Sequence, residues 1–344
     1  MRLFFHKLTH WEYWPFFPIY FPVILQWIYF SVKARSIFFF NAANPTIKNG
    51  GFMAESKKAI YDLIPSQYYP KTELITEKMS LADAVSIMEK SGFQFPLICK
   101  PDIGLRGSAV KKIETMDDFA DYHTKADFDF LIQDLIPYEH EFGIFYVRYP
   151  GEPKGRITGI VGKEFLVVTG DGVSSIESLL AKNPRFALQL PALRKEYGSQ
   201  LRNVLPDGEK RNLVPYGNHA RGAKFIDESH RITQKLTDMI DAICRQVPQF
   251  YFGRLDVMYR RFEELERGEH FQIVELNGAA SEPTHIYDPK HSIFFAWKEL
   301  LRHNRYLYEI SRANKENGAS YLPYREGMTQ YRIHLSHSKK IVAF

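Results

Sequence analysis

Cysteine is scarce in this chain: Cys99 and Cys244 are the only two among 344 residues, and they stand far apart in apolar surroundings. That argues against a disulfide framework or a cysteine zinc site and suits a reducing compartment. Long blocks of lysine and arginine are also missing. Forty-five basic residues against 40 acidic ones leave a net charge of +5, too mild a surplus to support a nucleic-acid partner. No Gly-Lys-Ser/Thr closes a Walker-type loop, no GxGxxG follows a strand, and no repeat or low-complexity tract appears. No Ser-His or Cys-His arrangement suggests a nucleophilic side chain. What remains is a chain that is 45% hydrophobic, enough to fill one large core or two smaller ones.

The hydrophobic content is unevenly spread. Residues 11–31, WEYWPFFPIYFPVILQWIYFS, hold fifteen large apolar or aromatic side chains and one charge, Glu12. The length matches a bilayer span of about 20 residues. Pro15, Pro18 and Pro22 predict a kink in any single helix there, while Trp and Tyr crowd both ends as they do at membrane interfaces. Arg2 and Lys7 precede the stretch and Lys33 and Arg35 follow it, so charge does not orient it. A cleaved signal is disfavoured by the prolines and by the lack of a small-x-small site. The favoured reading is interfacial or re-entrant contact with the cytoplasmic side of a membrane. The alternative is a buried helix or dimer face in a cytoplasmic protein, which keeps an oligomer open.

Residues 95–113, FPLICKPDIGLRGSAVKKI, read as a short buried strand, a glycine-containing loop and a returning strand from Ala109 to Ile113. Such a loop, with free backbone N–H groups, Ser108, and Lys100 at its root, can close over phosphate oxygens. An ordinary hairpin would look the same. A second segment starts at Phe250: FYFGRLDVMYRRFEELERGEHFQIVELNGAASEPTH. Strand-like runs at 253–259 and 271–277 flank a charged connector ending in Gly268, which predicts a hairpin. In a regular hairpin Asp256 faces Glu275 across the strands, and Asn277 shares the face of Glu275. Two carboxylates and an amide oxygen converging there need a cation between them, and oxygen-only ligands suit Mg2+ with nucleotide phosphates.

Together these segments resemble the ATP-grasp superfamily, with motifs similar to D-alanine–D-alanine ligase-like carboxylate–amine ligases. The resemblance covers roughly residues 44–300. It implies an α+β ATP-grasp fold, two subdomains gripping ATP. Lys100, Gly104, Gly107 and Ser108 match the lysine and glycine/serine hairpin over the phosphates. Arg254, Asp256, Glu275 and Asn277 match the Arg-x-Asp and Glu-x-Asn strands that hold two Mg2+ ions, for which Mn2+ can substitute. LIQDLIPYEHEFGIFYV (131–147) resembles the adenine-reading linker, with Gln133, Leu135 and Ile136 at the adenine edge and Glu141 on the ribose; Glu139 competes, because the spacing is one residue long. ESKKAIYDLIPSQYYPKTELI (55–75) resembles the helix–turn–strand carrying the first phosphate lysine, Lys57, with Lys58 as the alternative. NHARGAKFID (218–227) falls where related ligases place a loop over the transfer site. Arg221 there would stabilise an acyl-phosphate with Arg254, and Asn218 or His219 would position substrate.

Before Lys57 a truncated, helical, aromatic-rich region is expected in place of the family's full N-terminal α/β domain. The implied domain plan is an N-terminal segment (1–43), an ATP-grasp domain (44–300, with an ATP-binding subdomain at 72–135 and a catalytic one at 136–300), and a C-terminal helix and tail (301–344). The implied activity is ATP-dependent joining of a carboxylate to an amine through an acyl-phosphate, releasing ADP and phosphate, with small-molecule or lipid substrates. Two rivals are a membrane-associated ATP-binding module without turnover and a phosphotransferase on the same scaffold. Gly170-Asp171-Gly172 resembles a segment of cyanophycin-synthetase-like ligases but reads equally as a turn before a helix capped by Ser174 or Ser175. The basic, aromatic end of the chain is expected to pack on the N-terminal segment or to touch anionic lipid.

Overall fold

Proline sets how the N-terminal segment folds. The computed structural model describes residues 2–104, 107–214 and 223–344. Helix α1 (Arg2–Thr9) leads to α2 (Phe16–Ala34), which runs as one helix through the expected break. Pro15 is its N-cap and Pro18 lies in its first turn, where backbone N–H groups lack intrahelical acceptors anyway. Pro22 alone interrupts the interior ladder. Ser56 then caps the short α3 (Lys57–Tyr61).

A small sheet follows. Strand β1 (Thr72–Ile75) leads to α4 (Leu81–Lys90), β2 (Leu97–Pro101), β3 (Lys111–Ile113), α5 (Met116–Lys125) and β4 (Phe130–Asp134). Their order is β1-β4-β2-β3 and every pair is antiparallel. Ala84 and Met88 of α4 and Phe119 and Tyr122 of α5 pack with Leu97, Cys99 and Ile132 into its core.

The larger sheet is built from β5 (His140–Val147), β6 (Arg156–Glu164), and later strands separated by an insertion. That insertion is β7 (Leu166–Thr169), α6 (Ile176–Lys182), α7 (Pro184–Ala187), α8 (Leu190–Tyr197) and β8 (Lys210–Val214), with its own core around Leu180 and Leu193. Ser175 caps α6, and Asp171 accepts hydrogen bonds from Val173 and Ser174 in the glycine turn before it. Then come β9 (Lys224–Asp227), α9 (Gln234–Cys244), β10 (Phe252–Tyr259), α10 (Phe262–Glu266) and β11 (Phe271–Asn277). The order is β11-β10-β5-β6-β9. The charged connector expected as a hairpin turn holds α10, yet the strands still pair directly. Ile144, Leu255, Val257 and Ile273 form the core with Leu236, Ile240 and Ile243 of α9. The expected α+β class is present, in a four-stranded and a five-stranded sheet with helices against both, and a two-stranded sheet in the insertion.

Two C-terminal helices tie these parts together. The long α11 (Ile293–Glu316) lies along α2: Trp297 Nε1 donates to the Ile19 carbonyl (2.9 Å), Asn304 Nδ2 to Gln26 Oε1 (2.7 Å), and Phe30 stacks on Tyr308 at 4.2 Å. The expected C-terminal tail is a helix, α12 (Tyr324–Ala343). It starts against Phe38 of the N-terminal segment, where Gly327 lets the backbone lie on the ring, and ends with Ile341 and Phe344 in the small sheet's core. Phe344 meets Tyr122 and Phe128 at 5.0 and 5.2 Å.

Asn44 fastens the N-terminal segment to β10. Fully buried, it donates to the carbonyls of Gly50 (3.0 Å) and Phe252 (2.8 Å) and accepts from the amides of Tyr251 (2.9 Å) and Phe252 (3.1 Å). Asn44→Ala leaves these groups buried and unpaired. It is expected to lower unfolding stability by about 2 kcal/mol or more, read as a shifted urea midpoint; a loss below about 0.5 kcal/mol would contradict this account.

Candidate active site

Lysine 57 is aimed by a cap. Asp102, buried at the end of β2, accepts from Ser56 Oγ (3.0 Å) and from the Lys58 amide (2.8 Å), while its carbonyl accepts from the Lys57 amide (3.0 Å). The start of α3 is thereby fixed to the root of the glycine loop. Lys57 Nζ donates to the Gly104 carbonyl (3.2 Å) and lies 3.5 Å from Glu275 Oε1. Lys58 points elsewhere and pairs with Asp62 at 2.5 Å. Gly107 takes φ +70° in the same loop, a backbone that glycine adopts at little cost.

Lys100 is deeply buried. Its Nζ donates to Tyr61 Oη (2.8 Å), Gln133 Oε1 (2.8 Å) and the Val274 carbonyl (3.3 Å). Tyr61 in turn donates to the same Val274 carbonyl, one residue before Glu275. Burial pulls the Lys100 pKa down to about 7 against the pull of Glu275. Gln133 Nε2 donates to Thr72 Oγ1 (2.7 Å), so its whole amide is engaged in positioning this lysine.

The register of β10 with β11 is the one the spacing predicts: Asp256 opposes Glu275 and Arg254 opposes Asn277, with a bulge just beyond Asp256. Arg254 grips Asp256 with Nε (2.7 Å) and Nη2 (3.1 Å), and Lys163 Nζ of β6 reaches the same carboxylate at 3.3 Å. Lys163 also pairs with Glu141. Although burial opposes ionisation, Arg254 and Lys163 hold Asp256 down to about 2. Burial and the neighbouring Asp256 oppose ionisation of Glu275, and Lys57, Lys100 and Arg254 together keep that pKa low. Gly143 of β5 faces Asp256, where a Cβ would stand 3.2 Å from both Arg254 Cδ and Asp256 Oδ1. Asn277 Nδ2 is buried without a partner. Two anionic carboxylates on facing strand positions, beside an amide that is not fully engaged, form a hard-oxygen set that fits Mg2+. Among the described residues no cluster of three His, Cys, Asp or Glu side chains offers another metal site.

The other sequence candidates distribute as follows. Leu135 is exposed and Ile136 half-buried in the link between β4 and β5. Glu141 is drawn into the charged cluster, whereas Glu139 is exposed. Glu141 and Lys163 also line a cavity of about 160 Å³ with His140, Glu228, Arg231 and Tyr259. Gly104 and Ser108 belong to the loop above Lys57. Arg221, Asn218 and His219 lie outside the described residues.

Sequence reasoning missed four participants. Lys163 had a signal, a cation placed directly after the apolar run Ile157–Gly162 of β6. Tyr61 looked like core. Glu55 lies near Lys57 and Glu275, and burial raises its pKa. Glu282, five residues past Asn277, accepts from Tyr20 of α2 and from Tyr287 (3.2 Å) and sits close enough to favour the Arg254 cation.

No family model matches the sequence, and no curated protein matches it either. Solved structures similar to the chain include a bifunctional glutathione synthetase from Pasteurella multocida, at 15% identity and TM-score 0.39, over 75% of this chain and 36% of that one. The VanG D-Ala:D-Ser ligase from Enterococcus faecalis is similar at 14% identity and TM-score 0.42, over 74% of this chain and 61% of that one. A D-alanine–D-alanine ligase from Bacillus anthracis, complexed with ATP, is similar at 14% identity and TM-score 0.42, over 76% and 68%. The chain thus spans about a third of the first of these proteins and less than two thirds of the second, and what its site does is read from its own residues.

Proposed function

We propose that this chain is an ATP-dependent carboxylate–amine ligase. One observation carries the reading: Lys57, Lys100, Lys163 and Arg254 converge on the Asp256–Glu275 pair, beneath a glycine loop. Four basic side chains around two carboxylates fit a site that receives both polyphosphate and metal. Asp256, Glu275 and Asn277 would hold Mg2+, which when bound neutralises phosphate charge and aligns the transferring group. The number of ions belongs to the proposal.

In the proposed reaction a substrate carboxylate oxygen attacks the γ-phosphorus, the bond to the β-phosphate oxygen breaks, and ADP leaves. An amine nitrogen then attacks the acyl carbon, phosphate departs, and the nitrogen loses a proton. Lys57 and Lys100 would hold the ATP phosphates, and Arg254, with Arg221, would offset charge on the acyl-phosphate oxygens. Glu141 would take the ribose, with Leu135, Ile136 and the backbone at Gln133 beside adenine; Gly104, Gly107 and Ser108 would close over the phosphates. Asn218 and His219 would position substrate. The chain's contribution is electrostatic and positional, as expected of phosphoryl transfer. The aromatic N-terminus extends the proposed substrates to hydrophobic or membrane-borne acids and amines.

The test is release of ADP and free phosphate from Mg-ATP with a polar-plus-lipid metabolite extract, read alongside a new amide mass. Glu275→Gln should lower turnover about 100-fold or more. Turnover retained in that variant would remove Glu275 from the metal role. Phosphate found on the substrate would favour a phosphotransferase, and ATP binding without stimulated turnover would favour a binding module.

Lys100 supplies a pH signature. Its pKa falls from 10.5 to about 7 on folding, so between these values the unfolded chain holds a proton that the folded chain lacks. Stability from this group therefore rises as pH climbs through that window and is least at and below its lower edge. Polyphosphate beside Nζ favours the ammonium and reverses the shift. Mg-ATP binding at pH 8 should take up as much as about one proton, seen as a calorimetric enthalpy that varies with buffer ionisation enthalpy. Lys100→Met should abolish that uptake, and a buffer-independent enthalpy in wild type would refute the assignment.

A further inference from the structure

Helix α2 has two faces of opposite character. Ile19, Gln26 and Phe30 lie on the side sealed against α11. Phe17, Phe21, Leu25, Ile28 and Val32 lie on the other, within an arc of about 80° at 100° per residue. All five are exposed, Phe17 by 62% and Val32 by 71%. Of the helix's 19 residues only Ile19 and Phe30 are buried. Leu3, Phe5 and Leu8 of α1 add exposed apolar area, and so does Phe294, which touches Trp297 beside the same helix. A contiguous exposed apolar stripe of this extent marks an interaction surface.

Charge selects the partner. Residues 2–37 contain one acidic side chain, Glu12, and it is committed to Arg185 (2.9 Å). Lys7, Lys33 and Lys298 are exposed, as is Arg35 at the C-cap of α2. An aromatic and aliphatic stripe flanked by cations suits an anionic lipid surface. The sealed face decides the mode. Beside it α11 carries Glu299, Arg302, His303 and Arg305, so a helix crossing the bilayer would drag ionisable groups into hydrocarbon. We propose that α2 lies in the plane of an anionic phospholipid surface, with the Phe17–Phe21–Leu25–Ile28–Val32 stripe inserted and the α11 side facing the protein. This docking is independent of the ligase reading.

Flotation of the full chain with phosphatidylcholine vesicles, with and without phosphatidylglycerol, tests it. Wild type should float with the anionic vesicles, less so in high salt, and alkaline carbonate should release it. The double variant Phe21→Glu/Leu25→Glu should lose vesicle affinity at least about tenfold, with its circular dichroism unchanged because both side chains face solvent. Lys33→Glu, which leaves the stripe intact, should reduce the preference for anionic lipid. Four outcomes would overturn the proposal: no flotation of wild type, flotation unchanged in the double variant, resistance to carbonate, which means a spanning helix, or a lipid-free dimer that the double variant dissociates, which means a second copy covers the stripe.

Discussion

Two carboxylates fixed opposite each other on adjacent strands are the constraint around which the rest of this structure is arranged. Asp256 and Glu275 are paired in register, Asp256 buried on β10 and Glu275 partly exposed on the edge strand β11, close enough for like charges to repel. Neither is neutralised by taking up a proton; each is held as an anion by cations brought from other elements. Lys57 arrives on α3, Lys163 on β6, and Arg254 from two residues away on the same strand. Gly143 leaves out a side chain that would crowd Val161, Arg254 and Asp256. Removing Arg254 or Lys163 leaves the buried Asp256 charge only partly compensated, which costs more than losing an exposed pair. The site is thus a charge balance distributed over both sheets, and an entering metal and polyphosphate would exchange partners within it.

That balance requires the two sheets to stay in register with each other. Lys100 belongs to the small sheet but donates to the Val274 carbonyl of the large one, and Tyr61 of α3 joins both. On the far side α12 makes a second connection, from Phe38 near the N-terminal segment to the Tyr122–Phe128–Phe344 cluster. On the way, His337 Nε2 donates to the Ile103 carbonyl (2.9 Å) in the loop that also holds Gly104. The glycine loop is therefore supported from behind by a helix and from below by Asp102.

Features set by local period and spacing were legible in the sequence. The pairing of Asp256 with Glu275 follows from symmetric spacing about the connector, and α10 inside that connector leaves the register intact. The strand and return around Lys100 follow from apolar runs bounded by Pro and Gly. Long-range contacts were not legible. Lys163 comes to Asp256 only because β5 lies between their strands, and no local pattern records strand order. Tyr61 has the spacing of a core residue, and its hydroxyl gains meaning only once Lys100 is beside it. Gln133 sits in the segment read for adenine, yet strand alternation turns its side chain inward to Lys100 and Thr72. The prolines predicted a kink because composition does not say where a helix starts; with the start at Phe16, only Pro22 is interior.

The N-terminal segment joins surface and site through one helix. Its inner face carries Tyr20, which donates to Glu282 and lies 2.9 Å from Tyr287 Oη. Glu282 ends the turn that begins at Asn277, and that turn is pinned at Ala279 and Ala280 to the carbonyls of Gly50 and Gly51. Gly51 and Gly278 approach so closely that a Cβ on either would strike the other's Cα within 2.8 Å. A displacement of α2 is therefore passed to the residues beside Asn277 through packed backbone and buried hydrogen bonds. A surface that held the outer stripe of α2 would therefore also fix the orientation of this end of the site.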